Sequence, residues 1–313
     1  MEILINENIN KRLDVFLLDY LDCSRNQMAS LIENNFVFVN KKNQKPSYKL
    51  KQNDLVEYDE EKISDFLNPV KKLLPYEFDL DIKYEDDCVI VLNKPKELLV
   101  HPTKFENQKT LANILLYHCK NLANMDSSRP GIVHRLDKNT SGLMIAVKKD
   151  EVFEDIKNQI KEKTLIRKYK AIALGNFKEK QGIINKPLIH YIKDTVKMTI
   201  SDKGLEAVTH YKVLEEFKGA TLVELELKTG RTHQIRAHLS SINHPIFGDS
   251  LYGAKSFMIN EFYNLKTTEQ LLQSYYISFV HPKTKERMEF SLSEDEFSED
   301  FIKVLKFLRS KNL

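Results

Sequence analysis

The chain has 313 residues, long enough for one large domain and a small second one. A hydrophobic content of 42% with 30% charged residues excludes a disordered polymer, and its longest apolar runs, such as Leu143–Val147, are far too short to span a bilayer. The net charge of +3 does not by itself mark a nucleic-acid binder, and the three scattered cysteines, Cys23, Cys88 and Cys119, form no C-x-x-C pair, which argues against a disulfide framework or a cysteine zinc site.

The first residues, Met1–Asn10, lack the basic, apolar and small-residue succession of a leader, so a cytoplasmic protein is expected. Leu13, Phe16, Leu17 and Leu21 recur at helical spacing, and Met28, Leu31 and Ile32 do so again, with Ser24 placed to cap the second helix. Phe36–Asn40 has strand composition, Asn40–Gln44 is a polar turn, and Leu55–Tyr58 is a short strand after the turn pair Asn53-Asp54. Lys41, Lys42, Lys45, Lys49 and Lys51 occur here with no acid among them. Across residues 61–77, Asp65, Asn68, Pro69, Lys71, Lys72 and Pro75 break the periodicity, which predicts a module over 1–62, a linker over 63–77 and a larger domain over 78–313.

In the larger domain Cys88–Leu92 reads as a buried strand ending at Asn93-Lys94-Pro95, and Leu111–His118 as a helix. Ile132–Leu136 and Leu143–Val147 read as strands bracketing a polar loop. Asp150 is expected to cap an amphipathic helix containing Phe153, Ile156 and Ile160. Lys168–Leu174 and Ala220–Lys228 read as further strands. The irregular alternation predicts an α+β fold with a mixed, largely antiparallel sheet flanked by helices.

Three segments concentrate polar groups. In Gly131–Gly142 an apolar run enters a cluster in which Arg135 and Asp137, two apart, share one face of an extended chain. Read alone, the segment is more simply a surface turn with an ordinary ion pair. In Thr229–Leu239 a strand ends, a glycine turns the chain and a helix begins, with Arg231 at the junction, able to reach a carboxylate across the sheet or to sit in solvent. In Ile166–Ala171, Tyr169 shares a strand face with Ala171 and Ala173, as a pocket floor for a flat ring or as a core tyrosine. His233, His238 and His244 match no zinc spacing, and no phosphate loop or dinucleotide fingerprint is present among only 9 glycines, so neither metal nor cofactor is expected.

The string His134-Arg135-Leu136-Asp137-Lys138-Asn139-Thr140-Ser141-Gly142-Leu143 resembles the signature of the RluA family of pseudouridine synthases. Asn93-Lys94-Pro95 with His101-Pro102, Arg167-Lys168-Tyr169, Thr229–Arg236 and His244–Asp249 resemble its other motifs in order, so the likeness spans residues 78–290. Arg12-Leu13-Asp14, Ser24-Arg25 and Val37–Asn40 resemble the small S-four-type RNA-binding module that precedes such domains. Asn35 and Asn53 stand where that module carries turn glycines, and asparagine is the best substitute at positive φ.

The resemblance implies an enzyme that isomerises uridines in RNA without metal or cofactor. It implies Asp137 as the catalytic carboxylate, as nucleophile or base. Arg231 would be its charge partner, and Tyr169 would stack on the uracil. Arg135 would fill the stack vacated by the flipped base, and His134 would assist or serve structurally. Arg12, Arg25, Lys41, Lys45 and the basic stretch 161–170 would hold phosphates. The expected partner is RNA of the 23S ribosomal type, met by a monomer away from membranes. Transfer RNA as substrate, or a non-catalytic ribosome-assembly factor, are the alternatives.

Overall fold

The computed structural model describes every residue except 8–9, 68–72, 104–108, 120, 125–128, 191–196, 254–266, 268 and 312–313. The chain divides into two compact units, one built on Met1–Lys72 and the other on Leu73–Ile189 with Lys197–Leu313.

In the first unit β1 (Glu2–Leu4), β2 (Val37–Val39) and β3 (Leu55–Tyr58) form an antiparallel sheet in the order β1-β3-β2. Helices α1 (Leu13–Phe16) and α2 (Arg25–Glu33) pack their apolar faces with it: Leu13, Leu17, Met28, Leu31, Ile32, Val37 and Val56 are fully buried. Ser24 caps α2 in a reciprocal box, its Oγ accepting the Gln27 N–H while its own N–H donates to Gln27 Oε1 at 2.9 Å. Asn35 and Asn53 adopt φ of 62° and 70°, the left-handed conformation expected of them. Asn40 and Lys41 are also left-handed, and Val39 and Lys42 exchange both backbone bonds, which makes a two-residue hairpin turn. The stretch read as irregular from residue 61 is helical at first, as α3 (Glu60–Leu67), because Ile63 and Leu67 are one turn apart and Ile63 anchors in the core. The break signals Asn68, Pro69, Lys71 and Lys72 lie outside the described residues.

The second unit is organised by a nine-stranded sheet. Its strands are β4 (Asp81–Glu85), β5 (Val89–Lys94), β6 (Ser141–Val147), β7 (Ile166–Leu174), β8 (Gln181–Asn185), β11 (Val208–Phe217), β12 (Ala220–Leu227), β13 (Leu272–Val280) and β14 (Arg287–Ser291). A separate ribbon joins β9 (Leu188–His190) to β10 (Met198–Ile200). The order is β4-β5-β6-β13-β7-β12-β11-β8. The β6–β13 pair is parallel and the others are antiparallel. On the edge of β13 away from β7, β6 pairs with Gln273 and Ser274, and β14 takes over from Tyr276 onward. This is the α+β fold with a mixed, largely antiparallel sheet that the pattern predicted.

Each sheet face carries its own core. Leu143, Ile145 and Val147 of β6 face one core with α5 (Asp150–Lys161) and α7 (Glu299–Lys311), whereas Met144 and Ala146 face the other with α4 (Leu111–His118) and α6 (Gln234–Ser241). Asp150 is the first residue of α5 rather than its cap, because its carboxylate is taken by the N–H of Asn124. Gly142 (φ +124°) crosses β13 so closely that a Cβ would stand 2.1 Å from the Ser274 carbonyl oxygen. No side chain fits there, and the glycine lets β6 enter the sheet directly after the polar loop. Among the described residues no helix is long and apolar enough to cross a membrane.

Candidate active site

The segment 131–140 runs beside β6 without forming a strand. It starts as one: Val147 donates to the Gly131 carbonyl at 2.8 Å, and Ile132 bridges Ala146. The next ladder donor, the Ile145 N–H, instead meets Nε2 of His134 at 3.1 Å. A ring occupies the place of a backbone carbonyl, so the chain leaves the sheet, which corrects the strand expected over Ile132–Leu136. Because Nε2 accepts, the neutral ring carries its proton on Nδ1. Burial, helped by the charge of Arg167, pushes the His134 pKa down to about 3. The ring is a neutral brace.

A testable consequence follows from that neutrality. An unfolded histidine protonates near its ordinary value of about 6.5, while folded His134 stays neutral down to about 3. Its contribution is therefore intact above the unfolded value and is lost as pH falls between the two, at about 1.4 kcal/mol per pH unit. His134→Gln keeps an acceptor for Ile145. Denaturant titrations of this variant between pH 5.5 and 4.5 are expected to show a pH slope shallower than that of the parent by about that amount. Equal slopes would mean that His134 is charged in the fold.

Beyond the brace the chain turns outward and presents Asp137, whose side chain is 16% exposed. Arg236 donates from Nη1 to Asp137 Oδ2 at 3.0 Å. The same guanidinium donates to both oxygens of the fully buried Asp249, from Nε at 2.7 Å and from Nη2 at 2.9 Å. Burial opposes the charge of Arg236, but Asp249 and Asp137 outweigh it and raise its pKa above the ordinary guanidinium value. Asp249 is itself fixed by the N–H groups of Leu251 and Tyr252, and the Tyr252 ring lies under the guanidinium, 5.1 Å from centroid to Cζ. His233 Nε2 stands 3.9 Å from Asp137 and its Nδ1 3.1 Å from the Tyr252 hydroxyl. One guanidinium clamped by a buried acid thus orients a second acid toward solvent.

Lys94 supports the loop from below. It is fully buried, and its Nζ donates to the carbonyls of Pro95, Leu98 and Lys138 at 2.7, 2.9 and 3.1 Å. Burial lowers its pKa to about 7, against the pull of Asp137. This ties the end of β5 to the residue after Asp137.

Tyr169 lies on β7 at 3% exposure, on the face it shares with Ala171 and Ala173. Burial raises its phenol pKa. The charge of Arg167 and a hydrogen bond with Ser274 oppose that shift, and the charge of Asp137 adds to it, so the tyrosine is within electrostatic reach of the loop acid.

The structure corrects the expected partner of Asp137. Arg231 donates from Nε to the Glu206 carbonyl at 3.0 Å and is not in the cluster. The turn explains this. His233, not Gly230, takes the left-handed conformation (φ 52°), and Gln234 pins the loop by accepting from Thr229 Oγ1 and the Arg231 N–H. Arg231 precedes that turn, whereas Arg236 follows it on the first turn of α6. Arg236 lies within Thr229–Leu239, and Asp249 is a lone acid after the apolar run Pro245–Gly248, a pattern that points to a buried ion pair.

Arg135 is exposed beside Asp137. In the first unit Arg12 and Arg25 both reach the buried carboxylate of Asp14, at 2.9 and 3.3 Å, while their side chains stay 42% and 58% exposed. Lys41 and Lys45 are exposed. The stretch 161–170 is not the free basic face expected of it: Arg167 is buried, and Lys163, Lys168 and Lys170 stand 3.6, 3.7 and 3.4 Å from Glu206, Glu224 and Glu294. Their charge is matched locally by acids that lie far away in the chain.

Comparison with known proteins agrees with this architecture. Residues 88–241 match the RNA pseudouridylate synthase family and residues 11–56 match the S4 domain. An RNA pseudouridine synthase of Bacillus subtilis, described as uncharacterized, is 38% identical over 97% of this chain and 96% of its own. The ribosomal large subunit pseudouridine synthase D of Buchnera aphidicola is 35% identical over 95% of this chain and 94% of its own. The solved structure of human RNA pseudouridylate synthase domain containing 4 superposes with a TM-score of 0.56 over 73% of this chain and 92% of its own, at 24% identity, and so shares the fold. With an S4 domain ahead of its catalytic domain and relatives of that kind along nearly its whole length, the chain belongs to the RluA family of RNA pseudouridine synthases.

Proposed function

We propose that this synthase modifies uridines of large-subunit ribosomal RNA and that Asp137 is its essential carboxylate. The observation that carries the reading is the Asp137–Arg236–Asp249 cluster, 3.0 Å and 2.7 Å between partners, with Asp137 in electrostatic reach of Tyr169. A carboxylate aimed outward, held by a guanidinium that is itself locked, is preorganised to act on a sugar carbon or its proton. The reaction breaks the bond from sugar C1′ to uracil N1, turns the base and bonds C1′ to C5. Tyr169 would hold the detached ring by stacking, and Arg135 would occupy the gap left by the extruded base. Arg12, Arg25, Lys41 and Lys45 of the S4 domain would supply phosphate contacts. Asp14 suits that task, since it fixes two guanidinium groups while leaving them open to solvent.

The large-subunit target is favoured by the relatives named for that substrate. The test is to map pseudouridines in total RNA from cells with and without the gene, and to repeat the modification with purified protein on ribosomal and transfer RNA. Sites lost from large-subunit RNA and restored by the protein are expected. Loss confined to transfer RNA would overturn the assignment of substrate.

A further inference from the structure

A buried cation beside Tyr169 takes no part in the Asp137 cluster. Arg167 is 6% exposed, and its Nε is buried with no hydrogen-bond partner. Among the described residues no carboxylate stands at ion-pair distance from it, and burial depresses its pKa with only Tyr169 favouring its charge. A guanidinium buried without a counter-charge costs several kcal/mol. The other buried cations are compensated, Arg236 by two carboxylates and Lys94 by three carbonyls.

Its position is specific. Arg167 precedes Tyr169 by two residues on β7, so both side chains leave the same sheet face. Its guanidinium lies against the backbone of Gly230, where a Cβ would stand 3.3 Å from Nη1 and 3.6 Å from Nη2. The absence of a side chain at 230 leaves this space to the cation. The neighbouring ring of His134 is held neutral and adds no charge there.

The chemistry proposed above creates an anion. When the C1′–N1 bond breaks, its electron pair leaves with the base, and the charge spreads over N1, O2 and O4 of the detached uracil. Re-bonding through C5 returns the pair to C1′; the C5 proton then leaves to solvent and N1 takes up a proton, so the product is an isomer with no net oxidation. We propose that Arg167 is a catalytic residue that neutralises the detached uracil anion at the Tyr169 face of the cleft. This rests on the functional reading given above. The guanidinium gains its counter-ion only while the base is detached, so its interaction strengthens on the way to cleavage, as transition-state stabilisation requires.

The test compares single-turnover rates of the full chain on saturating RNA carrying uridine or 5-fluorouridine, whose base leaves as a more stable anion. Cleavage is followed by loss of the nucleoside from digests. Arg167→Gln is expected to slow the uridine reaction about 100-fold, the scale of losing one oxyanion donor, with RNA binding changed less than about three-fold. Arg167→Lys is expected to recover about ten-fold of that loss, and the Arg167→Gln defect on 5-fluorouridine to be about ten-fold smaller. Equal defects on the two substrates, or full activity of Arg167→Gln, would overturn the proposal. If Arg167→Gln does not fold, Gly230→Ala crowds the guanidinium without removing it and is expected to show the same substrate-dependent pattern; equal slowing on both substrates would again overturn it. A parent protein that forms no pseudouridine would instead overturn the functional reading itself.

Discussion

Asp137→Asn is expected to abolish release of a hydrogen isotope from uracil C5 while RNA binding stays within about three-fold. The asparagine carbonyl can still accept from Arg236, so the loop and its clamp are retained and only the charge and basicity are lost. Loss of a group that acts in the chemical step costs on the order of 10⁴-fold or more. The measurement is isotope release under single-turnover conditions, with binding followed on the same RNA. Release by the variant at near the parent rate would remove Asp137 from the chemistry.

Arg236→Met is expected to have the second largest effect, and a double one. It frees Asp137 and leaves Asp249, fully buried, without its counter-charge. Breaking a buried pair on one side costs roughly 3–5 kcal/mol, so both stability and turnover should fall. Adding Asp249→Asn removes the stranded charge and should recover much of the stability while turnover stays low, which separates orientation of Asp137 from folding. Arg231→Ala, by contrast, loses one bond to a carbonyl and is expected to keep turnover within about five-fold. A large loss in Arg231→Ala with none in Arg236→Met would reverse the assignment of the clamp.

The sequence carried the fold where pattern and burial agree. The hydrophobic spacing of α2 with its Ser24 cap, the apolar run of β5 and the Tyr169–Ala171–Ala173 face were legible because each is settled by local periodicity. Asparagines at 35 and 53 were legible because few residues tolerate their φ. The misreadings are non-local. Ile132–Leu136 has strand composition, but a histidine ring from the same segment takes the ladder bond. The choice between Arg231 and Arg236 depends on a left-handed His233, a conformation that composition does not announce. The charge of 161–170 was visible, whereas the acids that match it come from residues 206, 224 and 294.

The place of β13 in the sheet order has a consequence for biosynthesis. This strand, translated after both of its neighbours, lies between β6, which follows the Asp137 loop, and β7, which bears Tyr169. Until Leu272–Val280 leaves the ribosome, the strand that joins the two halves of the sheet is missing. At roughly 5–20 residues per second, a nascent chain therefore spends many seconds with its acid and its tyrosine on separate half-sheets. Such a chain can present its S4 domain to RNA well before the acid and the tyrosine share one sheet.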